Sequence, residues 1–200
     1  FWGSIAALNP ERDRYEIHHV VGPDEFHTQY PGTESEGLNN SAYTNVMAAW
    51  CLRCALRALE VIGDERRADL SETLAIADEE PARWEEMSRK LFVPIDENGI
   101  IQQFEGFGKL DELDWEGLEK KHGDIQRLDR ILKAEGDDPN RYKATKQADV
   151  LMLFYLLSSE ELEELFDRLG YDFAPDLIPK NIAYYLDRTS HGSTLSRVVH

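Results

Sequence analysis

Ala148-Asp-Val-Leu-Met-Leu-Phe-Tyr-Leu-Leu157 is nearly all apolar and is followed at once by Ser158-Ser-Glu-Glu161. A helix that is apolar all round must be buried all round. The next four residues have the spacing of a capping box. They predict a helix with Leu162, Leu165, Phe166 and Leu169 on one face and Gly170 at its end. Pro175 and Pro179 bracket a short link, and Pro179 suits the first turn of a further helix with Ile182, Tyr185 and Leu186 on one side. Upstream, Asn40-Ser41 can cap a helix running to about Gly63, with Ala42, Val46, Ala49, Leu52, Leu56 and Leu59 at three- and four-residue steps. Another follows Asp78, with Pro81 in its first turn, Trp84, Met87 and Leu91 on one side, and Pro94 closing it. One buried helix among one-sided helices is the pattern of two concentric layers. The sequence therefore predicts an all-α fold. Residues 94–142 read as an irregular excursion between helices, with Phe104, Phe107, Leu110, Trp115 and Leu128 to bury.

Composition narrows the function. With 42% hydrophobic and 30% charged residues the chain is too apolar for disorder. It has no run of eighteen apolar residues, so no membrane span is predicted. The net charge of −17 excludes nucleic acid and anionic membrane as partners, because neither would be attracted. An anionic substrate would need local positive groups. Cys51 and Cys54 form a CxxC pair in the middle of a predicted helix. A zinc site needs four ligands and no second pair exists, so no metal is expected. Two reduced cysteines fit a reducing, cytoplasmic compartment. The chain opens on Phe1 and stops within what reads as a new helix. Both ends are expected to be cuts through a longer polypeptide.

Four segments carry polar chemistry. In Val20-Val-Gly-Pro-Asp-Glu-Phe-His27, Gly22-Pro23 turns the chain out of an extended stretch and two acids follow in an apolar frame. A carboxyl held against apolar surface resists ionisation and can donate a proton near neutral pH; a solvated surface turn is the plainer alternative. Asn39-Asn-Ser-Ala-Tyr-Thr-Asn45 is a polar run at a helix mouth, where simple capping is as good a reading. Lys146-Gln147 opens the buried helix, either as surface decoration or as donors for sugar hydroxyls in a pocket. Arg188-Thr-Ser-His-Gly-Ser-Thr194 gathers hydroxyls, an imidazole and backbone N–H groups ahead of an expected helix start, as an anion site or as an ordinary cap.

Taken in this order, the four segments resemble the catalytic barrel of glycoside hydrolase family 65, which includes maltose, trehalose, kojibiose and nigerose phosphorylases and the acid trehalases. Gly22-Pro-Asp-Glu25 resembles the general-acid motif, Lys146-Gln147 the sugar-binding pair, and Thr189-Ser-His-Gly-Ser193 the phosphate loop; Asn39-Asn40 and Ala42-Tyr-Thr-Asn45 resemble the polar run after the acid. The likeness runs over the whole chain. It implies part of an (α/α)6 barrel, truncated at both ends, with residues 1–200 a partial catalytic domain. It also implies inverting phosphorolysis of an α-glucosidic disaccharide to β-glucose 1-phosphate and a free sugar. Glu25 would be the catalytic acid, Lys146 and Gln147 would bind sugar, and Ser190, His191, Gly192 and Ser193 would hold phosphate. No cofactor is implied beyond phosphate as co-substrate. The implied partners are disaccharide and phosphate, the rest of the same polypeptide and, as a further option, a second copy of the chain. The link Thr28–Leu38 is longer than its counterpart in the family's phosphorylases. A family hydrolase such as an acid trehalase, and a non-catalytic helical module, are the competing readings.

Overall fold

A computed structural model describes residues 1–192 together with Thr194 and Ser196. The described elements, in chain order, are α1 (Trp2–Ile5), the strands β1 (Ala6–Asn9) and β2 (Arg14–Ile17), then α2 (Ala42–Val61), α3 (Asp64–Leu74), α4 (Glu80–Lys90), α5 (Trp115–His122), α6 (Leu128–Ala134), α7 (Asp149–Leu156), α8 (Ser159–Leu169) and α9 (Leu177–Leu186). The two strands form one antiparallel hairpin with Ala6 opposite Ile17 and Asn9 opposite Arg14. The other long elements among the described residues are helical, as the all-α class predicts.

Helix ends follow local chemistry. The Ser41 hydroxyl accepts from Thr44 N–H and starts α2, and Ser158 and Glu161 close the expected capping box at α8. The α8 face is as read: Leu162, Leu165, Phe166 and Leu169 are all buried. Helix α2 packs on α4, α7 and α8, and α7 packs on α9. The main core gathers Ile17, Val46, Met87, Leu91, Ile101, Phe107, Val150, Leu153, Phe166 and Tyr185 between these helices and the hairpin.

Three departures have physical reasons. Helix α3 buries nothing and shows no apolar stripe to read; Asp64 and Glu65 in its first turn and the Arg67–Asp64 pair support it instead. Helices α5 and α6 lie in the stretch read as irregular, where each is only two turns long. They bury a separate small cluster of Phe26, Leu113, Leu128, Leu132 and Ala144. Finally, α7 is buried at its start but not at its end, where Tyr155 and Leu156 are exposed, and the inward face of α9 is Leu177, Asn181 and Tyr185, with Ile182 and Leu186 exposed.

The segment 94–104 folds back on itself, with Ile95 bridged antiparallel to Ile101 about a turn at Gly99 (φ 78°), and α9 holds it in place. Asn181 accepts from Ile101 N–H and donates to the Gly99 carbonyl, and the Tyr185 hydroxyl donates to the Ile101 carbonyl at 2.6 Å. Gln103 then joins two helix starts: its carbonyl accepts from Ala42 N–H, and its side chain accepts from Val150 N–H in the first turn of α7. That side chain supplies the N-terminal partner that α7, without a capping side chain of its own, otherwise lacks.

Candidate active site

The turn after Val21 alternates inward and outward. Asp24, Phe26 and His27 are buried, whereas the Glu25 side chain is 69% exposed. Phe26 enters the small cluster beside Leu128 and Leu132 and so anchors the turn from one side. Glu25, the expected acid, points outward and meets Lys146, with Oε2 2.6 Å from Nζ. The burial expected of the acid belongs to its neighbour Asp24, not to Glu25.

Lys146 and Gln147 precede α7. The Gln147 side chain is buried and donates to the Pro23 carbonyl at 3.0 Å. The Lys146 backbone N–H donates to Asp24 Oδ1 at 2.9 Å. The acid turn and the Lys-Gln pair are thus tied twice, each time by a side chain of one to the main chain of the other. Gly22 allows this approach, since a Cβ there would lie 2.3 Å from Asp149 Oδ2.

The loop after α9 joins the same place. Thr145 N–H donates to the Arg188 carbonyl and Ser190 N–H to the Thr145 carbonyl, a short parallel pairing that sets residues 190–192 beside Lys146. Ser190 is buried. The His191 backbone is left-handed at φ 53°, and its Nδ1 lies 2.8 Å from Ser196 Oγ. At Gly192 a Cβ would sit 2.2 Å from the Gln126 carbonyl oxygen and 3.5 Å from Lys146 Cγ, so only glycine fits. Ser193 lies outside the described residues. Segments 22–27, 145–147 and 189–192, far apart in sequence, therefore converge.

Other expectations meet a different arrangement. Arg188 is committed elsewhere: it pairs with Glu112, donates to the Tyr184 carbonyl and lies over the Tyr184 ring at 4.0 Å. The local positive charge at the site is therefore Lys146. In the polar run 39–45, Asn40 and Asn45 hold backbone in place. Asn40, fully buried with φ 53°, accepts from Ile17 N–H and donates to Glu105, and Asn45 donates to the Phe92 carbonyl. The link 28–38 is a small hairpin held at Thr28 and Gln29 by Asn140 Oδ1. Beside Thr189, Ser190 and His191 runs an open hollow whose other walls are Trp115, Glu119 and Asp124; the acids there lie on segments the sequence reading set aside.

Behind the turn lies a group of buried polar side chains around a small cavity: Asp24, His27, Ser41, Gln103 and Asp149. Burial, and then the nearby Asp24 carboxyl, push the Asp149 carboxyl well above the usual range, while a hydrogen bond from the Asp24 backbone acts the other way. A single acid inside an otherwise apolar run, Ala148-Asp149-Val150, was the available signal for this group.

Residues 1–200 match the glycosyl hydrolase family 65 central catalytic domain. An uncharacterized glycosyl hydrolase of Mycobacterium tuberculosis is 54% identical over 200 residues, 100% of this chain and 15% of that protein. Trehalose 6-phosphate phosphorylase of Lactococcus lactis subsp. lactis is 42% identical over 199 residues, 100% of this chain and 24% of that protein. Kojibiose phosphorylase of Halothermothrix orenii is 35% identical over 205 residues, 100% of this chain and 23% of that protein. A solved structure from the human microbiome shares the fold with a TM-score of 0.70 at 23% identity, over 100% of this chain and 24% of that one. The chain thus spans between 15% and 24% of the length of these proteins.

Proposed function

The chain belongs to glycosyl hydrolase family 65, and on that premise we propose that it carries the acid, the sugar-binding pair and the phosphate loop of an inverting disaccharide phosphorylase. The observation that carries this reading is the meeting of Glu25 with Lys146 at 2.6 Å, with residues 190–192 packed alongside. Without a sugar, carboxylate and ammonium satisfy each other. A bound sugar takes the donors of Lys146 with its hydroxyls, and Glu25, released from the ammonium, takes up a proton from the solvent on its open side and faces the glycosidic oxygen. Inversion needs an acid on one side of the bond and a nucleophile on the other. Glu25 protonates the leaving oxygen as its bond to the anomeric carbon breaks. Phosphate, held by Ser190, His191 and Gly192, forms the new bond from the opposite face and leaves as β-glucose 1-phosphate. Phosphate is already anionic and needs no protein base.

Relatives named as phosphorylases of trehalose 6-phosphate and kojibiose support this reading and suggest the substrates to try first. A second reading, hydrolysis, draws on Glu119 and Asp124, which line the hollow beside Ser190 and His191 and place carboxylates where a water-activating base could act. Sugar release from trehalose 6-phosphate, trehalose, kojibiose and maltose, each with and without phosphate, separates the two. Phosphate-dependent release with β-glucose 1-phosphate as product is the expected result. Release that proceeds without phosphate assigns the enzyme to the hydrolases.

A further inference from the structure

We propose that Asp24 is the positioning residue of the site, a buried carboxyl that fixes the Glu25–Lys146 pair through the Lys146 backbone and the His27 ring. The inference rests on the reading of Glu25 as the acid. Asp24 is 3% exposed and faces away from the open side of the turn. Both of its oxygens are engaged. Oδ1 accepts from Lys146 N–H at 2.9 Å and from Phe26 N–H at 3.5 Å, and Oδ2 lies 3.2 Å from His27 Nδ1. The other ring nitrogen of His27, Nε2, is 2.9 Å from the Tyr142 carbonyl. A carbonyl only accepts, so Nε2 carries a proton and Nδ1 shares one with Asp24. His27 is 2% exposed at its side chain and packs against Phe104 and Phe107, so the ring has no room to turn.

The result is a chain of fixed contacts from the Tyr142 backbone through His27 and Asp24 to the Lys146 backbone, with Glu25 next to Asp24 in sequence. The acid and its partner come from segments 121 residues apart; Asp24 and Gln147 both span them, and Asp24 is the one that holds the Lys146 backbone. Asp149, on the other side, supports this role. Burial, and then the Asp24 carboxyl itself, raise its carboxyl well above the usual range, as two acids packed around one small cavity require.

The test uses the complete enzyme and the variants Asp24→Asn, Glu25→Gln and the double variant. Two donors are compared, each with phosphate: whichever of trehalose 6-phosphate, trehalose, kojibiose and maltose the wild type cleaves fastest, and α-glucosyl fluoride, whose leaving group departs as an anion and needs no proton. If Asp24 acts through Glu25, Asp24→Asn lowers kcat on the disaccharide by on the order of a hundredfold, as a misplacement of about 1 Å would. It then stays within a few-fold of wild type on the fluoride. The double variant is no slower than Glu25→Gln alone, because coupled residues are not additive.

Equal losses on both donors, or additive losses in the double variant, overturn the positioning role and leave Glu25 as the acid. Full activity of Glu25→Gln on the disaccharide instead overturns the underlying reading. His27→Gln, which leaves Asp24 in place, is predicted to show the same split between donors at smaller amplitude. It decides the matter if Asp24→Asn does not fold, and an equal loss on both donors there counts against the proposal.

Discussion

Glu25 is exposed, Asp24 beside it is buried, and the two differ in what a substitution does. Glu25→Gln leaves the buried face of the turn untouched and removes only a carboxyl at the open side. Turnover is expected to fall by about two to four orders of magnitude, the range for a lost general acid, with folding unchanged. Steady-state kinetics beside a melting curve checks both halves, and turnover within a few-fold of wild type removes Glu25 from the mechanism. His191→Ala removes a donor from the loop after α9, next to Ser190 and Gly192. A hydrogen bond to a charged group contributes roughly 1.5–3 kcal/mol, so the Michaelis constant for phosphate should rise on the order of ten- to a hundredfold. That for the disaccharide should stay close to wild type. Varying each substrate in turn reads the difference, and equal changes in both constants contradict a phosphate role for the loop. Asp149 gives a prediction in pH. Its carboxyl is raised in the folded protein by burial and by Asp24, against about 3.9 in an unfolded chain. The folded state therefore holds a proton that the unfolded state gives up. Stability is full below the unfolded value and falls as pH rises toward the folded one. Asp149→Asn cannot ionise, so its melting temperature should gain on wild type as pH rises above about 4. Parallel curves for the two proteins would show that Asp149 is not held neutral.

The partner of a helix start was legible where a side chain next to the start does the capping, and illegible where it comes from far away. Ser158 and Glu161 cap α8 within four residues. Removing the hydroxyl in Ser158→Ala should cost about 1 kcal/mol, read as a lowered denaturant midpoint at unchanged slope. An unchanged midpoint would mean that the packing of Leu162, Leu165 and Phe166 alone holds the first turn. Helix α7 has no such local cap, and its first-turn N–H is met by Gln103, 47 residues upstream. No spacing rule reaches that distance. Helix α3 fails for the opposite reason, since an element that buries nothing leaves no periodic mark. The strands β1 and β2 are four residues each, too short for an alternation to be counted, and their pairing is a matter of register rather than of composition.

The helices belong to the (α/α)6 barrel of the family's catalytic domain, and the chain spans between 15% and 24% of the length of the relatives named above. Large apolar side chains stand exposed on two helices that pack together, Tyr155 and Leu156 on α7 and Ile182 and Leu186 on α9. Apolar surface of this kind drives association when nothing covers it. The 200-residue chain alone is therefore expected to associate with rising concentration and to lack activity, which light scattering on a size-exclusion column would follow. A monomer with a sharp cooperative transition would show that this surface is stable in water.

What the sequence by itself determined was local and periodic. The helical class follows from hydrophobic spacing, the ends of α2 and α8 from their capping residues, and the family from four short motifs in order. The exposure of Glu25, the burial of Asp24 and Asp149, and the commitment of Arg188 to Glu112 were decided only in three dimensions. Adjacent acids in one turn are equivalent until other segments take up the space on one side of them. Here Phe26, His27 and α7 occupy that side, so the inward carboxyl is clamped and the outward one stays open to the solvent and to Lys146.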